Sequence, residues 1–221
     1  MKAFLAVAAV GALLAVQSAS ASMIFTASST APTDNVVLSQ TNYNSGNNDA
    51  KLPDSGLYGP GQVFTTTQGF TLDKVTVMAR AAEDNLPTTV TVSFRLFKAT
   101  SSTDATIVNG LVFETAAVPS AGINAGRYFT FDIPDQVLAA DTAYGFALRI
   151  ESGVSSGNHN LLLNNANPYD GGYTFRMNSS GGIVSSFASD DLVFYAQQAV
   201  PEPATMTLLG LGSLALLRRK H

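Results

Sequence analysis

Residues 88–99 read TTVTVSFRLFKA, and this stretch decides the fold. Val90, Val92, Phe94 and Leu96 fall on one side of an extended chain, with Thr91, Ser93, Arg95 and Phe97 on the other. Successive side chains of a strand point to opposite faces, so a period of two in a β-branched, aromatic run predicts a strand.

The same period recurs along the chain. Tyr144, Phe146, Leu148 and Ile150 alternate with Gly145, Ala147 and Arg149. Tyr173, Phe175 and Met177 alternate with Thr174 and Arg176, and Leu192, Phe194 and Ala196 with Val193 and Tyr195. Phe129 and Phe131 mark a strand over 127–133. Further strands are expected at 35–41, 62–67, 70–80, 107–114 and 160–164. The 107–114 run is either a tight hairpin through Asn109-Gly110 or one bulged strand. Turn residues separate most of these runs, as at Ser152-Gly153 and Gly171-Gly172. No crossover helix of about ten residues is visible, which argues against a parallel α/β fold. These features predict an all-β antiparallel sandwich of the jelly-roll type, with an up-and-down barrel as the alternative. Residues 27–32 read as a linker.

Both ends have a different character. Lys2 precedes the uncharged apolar run 3–16, and Ala19-Ser20-Ala21 follows with the small residues a signal peptidase reads. That order predicts a secretory signal peptide over 1–21, forming a signal helix and cleaved between Ala21 and Ser22. At the other end, Pro201-Glu202-Pro203 interrupts any regular structure. An uncharged run follows over 204–217, and Arg218, Arg219, Lys220 and His221 close the chain. Fourteen helical residues span about 21 Å, short of a bilayer core of about 30 Å. This short apolar helix predicts a transient membrane tether with the basic end on the cytoplasmic side. The organisation expected is a signal peptide at 1–21, a β-sandwich domain at 22–199 and a sorting tail at 200–221.

The tail resembles the bacterial PEP-CTERM sorting signal in its Pro201-Glu202-Pro203 tripeptide, its apolar run with Gly210 and Gly212, and its Arg218-Arg219-Lys220 cluster. The resemblance implies recognition by an exosortase-like membrane enzyme, after passage through the secretion machinery and signal peptidase, and delivery to the cell surface or extracellular matrix. Residues 40–196 resemble the choice-of-anchor (type R) secreted β-domains. The resemblance rests on Phe64-Thr65, Leu72-Asp73-Lys74-Val75, Phe94-Arg95-Leu96-Phe97 and Leu138 to Phe146. Asp141 stands where that family has glycine.

Composition narrows the chemistry. The 221 residues include no cysteine and no tryptophan, which excludes disulfides, thiolate metal sites and thiol nucleophiles. Taking Lys2, Glu202, Arg218, Arg219 and Lys220 away from 12 basic and 16 acidic residues leaves 8 and 15 in the domain. The resulting net charge of −7 argues against nucleic acid as a partner. His159, the one histidine between the two ends, reads as an ordinary turn residue; no GxSxG elbow accompanies it. A glycoside hydrolase or lyase would need two of Glu83, Glu114 and Glu151 in one groove. A structural calcium ion would draw on Asn47, Asp49, Asp54, Asp190 and Asp191, against the reading that such residues simply make turns. Tyr43, Tyr58, Tyr169 and Tyr173 are the candidate contacts to an extracellular polysaccharide, with Tyr169 foremost; the alternative is that they cap the core edge. The expectation is a non-enzymatic surface or matrix protein without a cofactor. The alternatives are a carbohydrate-binding module and a carboxylate glycosidase.

Overall fold

In this computed structural model, residues 22–44, 49–52, 58–80, 90–115, 118–119, 127–152, 159–178 and 180–200 are described. The early strands are β1 (Ile24–Ser28), β2 (Val36–Gln40), β3 (Asp49–Leu52), β4 (Tyr58–Thr66) and β5 (Phe70–Met78). Next come β6 (Thr91–Ser101), β7 (Asp104–Glu114), β8 (Val118–Pro119), β9 (Tyr128–Leu138) and β10 (Thr142–Ser152). The last are β11 (His159–Asn164), β12 (Thr174–Asn178), β13 (Ile183–Phe187), β14 (Asp191–Leu192) and β15 (Phe194–Gln198). Every ladder among them is antiparallel. The all-β expectation therefore holds for the described residues. Both expected terminal helices fall outside them.

One sheet has the order β1-β9-β5-β15-β2 and the other β13-β12-β4-β10-β6-β7, with β8 beside β6. A small third sheet runs β14-β11-β3. The pairing is nested: β2 pairs with β15, β4 with β10, β5 with β9, and β6 with β7. Each early strand is matched with a progressively earlier-returning late strand, as in one long hairpin wound over both sheets.

The alternating apolar faces meet between the two large sheets. Phe64, Phe94, Leu96, Tyr144, Phe146, Leu148 and Ile150 from one pack on Leu72, Val75, Val77, Phe129, Phe131, Phe194 and Ala196 from the other. Phe146 sits centrally, with its ring centroid 5.9 Å from Phe94 in a stack, 5.8 Å from Phe194 and 6.3 Å from Phe64. Aromatic pairs at such distances add about 0.5–1.5 kcal/mol each beyond the area they bury.

The opposite face of β6 is covered as well. Ser93, Arg95, Phe97 and Ala99 are all buried, although an alternating strand commonly leaves one face wet. Phe97 and Ala99 join Val63, Ala105, Ala147, Tyr173, Phe175 and Met177 in a second apolar cluster built from this sheet and its flanking turns alone. The sheet therefore curls upon its own outer face. Its edge strands β7 and β13 approach each other, and the Ala105 amide donates to Tyr173 Oη at 2.6 Å. Two glycines permit the curl. A Cβ on Gly145 would lie 2.3 Å from Phe97 Cζ, and one on Gly61 would lie 2.3 Å from Phe175 Cζ. Each glycine is directly opposite that phenylalanine in the ladder, so the ring covers bare backbone.

Three local readings are settled. Residues 104–114 form one strand with irregular pairing to β6, which selects the bulged-strand alternative for 107–114. The expected linker over 27–32 is corrected, because Ala27 and Ser28 belong to β1, anchored by the 4% exposed Phe25. The expected strand over 192–196 is interrupted at Val193, whose amide donates to Leu162 O across the small sheet.

Candidate functional site

The chain leaves the domain from an interior strand. β15 lies between β5 and β2, and its apolar side chains fix it there: Phe194 and Ala196 face the main core while Tyr195 packs on the outer face. The Gln198 amide donates to Asn35 O at 3.0 Å and the Ala199 amide to Thr71 O at 2.9 Å. Val200 is 61% exposed.

Two turns flank this exit. Thr67-Gln68-Gly69 joins β4 to β5, and Ala139-Ala140-Asp141 joins β9 to β10. Thr66 Oγ1 ties them together, 2.6 Å from Ala139 O and 3.1 Å from Thr142 O. Asp141 adopts φ 49°, a left-handed conformation that aspartate tolerates in a tight turn. A groove of about 320 Å³ lies beside the exit, lined by Val37, Leu38, Thr65–Phe70 and Gln198. Its residues are scattered in the sequence and come together from four strands, β2, β4, β5 and β15, so no local pattern marks it.

The candidate tyrosines divide. Tyr173 is 4% exposed, with its ring in the second apolar cluster and its hydroxyl accepting from the Ala105 amide. Tyr169 packs edge-on against Phe194 at 5.5 Å, and its hydroxyl is 3.3 Å from the Thr65 amide. Burial pushes its phenol above the ordinary value. Its ring caps the core edge beside Phe194. Tyr43 is 48% exposed, and its loop meets the Tyr169 loop through Asn44 and Asn165. The Tyr58 side chain lies outside the described residues.

The calcium candidates are not assembled among the described residues. Asn47, Asp54 and the Asp49 side chain lie outside them. Asp191 is fully buried, accepting from Gln62 Nε2 at 2.8 Å and the Tyr169 amide at 3.1 Å. Gln62 in turn accepts from Thr174 Oγ1 and the Leu192 amide. Asp191 is thus the centre of a clasp joining β4, β12, β14 and the Tyr169 loop. Burial pushes its carboxyl up to about 6, aided by the charges of Asp190 and Asp170 and opposed by the Gln62 and Tyr169 hydrogen bonds. Asp190 accepts from Ser189 Oγ at 3.2 Å.

Two of the candidate glutamates, Glu114 and Glu151, pair with arginines. Arg95 Nε donates to Glu114 Oε1 at 2.6 Å, and Arg95 also reaches Met177 and the Asn178 carbonyl across the curled sheet. Glu151 accepts from Ser93 Oγ and pairs with Arg149 at 3.2 Å. Such pairing suits a structural clamp better than a glycosidase pair, which needs one carboxyl free to exchange its proton. Glu83 and the His159 side chain lie outside the described residues.

Residues 199–220 match the family model of the PEP-CTERM protein-sorting motif. The match begins one residue after β15 ends and contains Pro201, Glu202, Pro203, Arg218, Arg219 and Lys220. A PEP-CTERM tag is consistent with an exported, surface-directed chain handled by an exosortase-type system. No curated protein and no solved structure matches. The resemblance of 40–196 to choice-of-anchor domains has no counterpart in these comparisons.

Proposed function

We propose that this PEP-CTERM-tagged β domain is a non-enzymatic component of the cell surface or extracellular matrix, released from its signal peptide before Ser22 and processed at the Pro201-Glu202-Pro203 tail. The observation that carries the reading is the position of the motif, immediately after the last strand of the domain. Ala199 is still hydrogen-bonded to the sheet, and Pro201 follows two residues later. Two extended residues reach only about 7 Å, so the membrane enzyme acts close against a folded domain. The nested strand order supports the jelly-roll description of that domain. Its aromatic core and arginine-held carboxylates suit a durable surface component.

The test is a pulse–chase of the wild-type chain and a Pro201→Ala/Glu202→Ala/Pro203→Ala variant, with intact-mass measurement of membrane, envelope and matrix fractions. The expected wild-type product starts at Ser22, lacks the basic tail and reaches the surface or matrix. The variant stays in the membrane fraction. A wild-type chain that keeps both ends inside the cell, or a variant that reaches the matrix at the same rate, overturns the reading.

A further inference from the structure

The groove beside the chain exit has a definite chemical character. Leu38 and Phe70 are partly buried against the core and provide apolar surface. Thr67, Gln68 and Gln198 are exposed at the same groove. Among the described residues none donates or accepts a side-chain hydrogen bond to the Gln68 or Gln198 amides, which leaves both for a ligand. Among the described residues, no Asp, Glu, Lys, Arg or His lines the groove, although the domain carries −7.

These features select among ligand classes. Among the described lining residues an anion finds no cationic partner, and a metal ion finds no carboxylate. A purely apolar ligand would bury amides and hydroxyls without partners, at roughly 1–3 kcal/mol for each group. A neutral polyhydroxyl ring satisfies both halves, with its C–H face on Leu38 and Phe70 and its hydroxyls on the amides. The volume, about 320 Å³, lies at the lower end of the roughly 300–1,000 Å³ range of small-molecule sites.

We propose that this groove, lined by Val37, Leu38, Thr67, Gln68, Phe70 and Gln198, is a binding subsite for a neutral sugar unit of a polysaccharide. None of Tyr43, Tyr169 and Tyr173 lines the site, although Tyr169 borders it through Thr65. It does not depend on how the tail is processed.

The test is calorimetric titration of the full chain in detergent with cellotetraose, xylotetraose, mannotetraose and trigalacturonate. Saturable binding of at least one neutral tetrasaccharide is expected, with none of the anionic trimer. The Gln68→Ala/Gln198→Ala variant weakens that binding at least tenfold. Val184→Ala, on a different edge of the domain, leaves it unchanged. Both glutamines are exposed, and an unchanged melting temperature for each variant separates lost contacts from misfolding. A backup variant, Gln68→Glu, brings a charge to the rim and also weakens binding. Failure of all three neutral probes to bind, wild-type affinity in the double variant, or equal binding of trigalacturonate overturns the proposal. The export assay stands apart from each of these outcomes.

Discussion

Protonation of Asp191 links the stability of the domain to pH. In an unfolded chain its carboxyl titrates near the ordinary value of 3.8, whereas in the folded domain burial raises it to about 6. The folded state therefore binds the proton more tightly. Stability is favoured while the carboxyl is protonated and falls as pH rises from 3.8 through 6, levelling above it. With 1.36 kcal/mol for each pKa unit, the full effect is about 3 kcal/mol, and about 2 kcal/mol lies between pH 4.5 and 7.5. Other carboxylates titrate in the same window, so the measurement is a difference. Urea unfolding of the wild type and Asp191→Asn is followed at pH 4.5, 6.0 and 7.5. Asparagine keeps the shape and removes the charge, but its Nδ2 meets a donor, either Gln62 Nε2 or the Tyr169 amide. That mismatch costs about 1–3 kcal/mol at every pH. The wild type is thus expected to lose about 2 kcal/mol more than the variant on going from pH 4.5 to 7.5. A gap between the two proteins that does not change with pH refutes the reasoning.

Gly145→Ala forces the Phe97 ring to shift and is expected to destabilise by about 1–3 kcal/mol in thermal melts. Phe97→Leu in the same chain recovers part of that loss by giving the new methyl room. Phe146→Ala removes the ring shared by Phe64, Phe94 and Phe194 and is expected to cost about 3–5 kcal/mol in urea unfolding. Tyr169→Phe keeps the edge contact with Phe194 but loses the hydroxyl beside Thr65. An expected loss of about 0.5–1.5 kcal/mol would appear as a lowered urea midpoint with an unchanged slope.

The strands were most legible where period and composition agreed. Tyr144 to Ile150 and Val90 to Leu96 send their marked residues into the main core, as the alternation implies. β1 was obscured because Ile24 to Ser28 adjoins the apolar leader and carries a single large inward side chain, Phe25. β13 was missed because its central Ser185-Ser186 dilutes the apolar signal. The second core was illegible for a different reason. Arg95 and Phe97 occupy the same face, and only the sheet's curl decides that both are buried. Gly61 and Gly145 were the available clue, since glycine inside an otherwise strong strand often marks a close approach. The candidate sites depended on orientation. Tyr169 and Asp191 occur in loop-like sequence, yet both turn inward to hold the clasp.

Nested pairing gives the tail a place in time. β2 is among the first strands to emerge and β15 the last, yet β2 has no neighbour in its sheet until β15 arrives to stand between it and β5. Synthesised from its N-terminus, the chain must hold that gap open until its final strand is made, and the sorting motif follows directly behind. Completion of the fold and arrival of the tag are therefore nearly simultaneous. A chain truncated before Phe194 lacks both the strand that closes the sheet and the tag that follows it, so one premature stop removes the stable body and its address together.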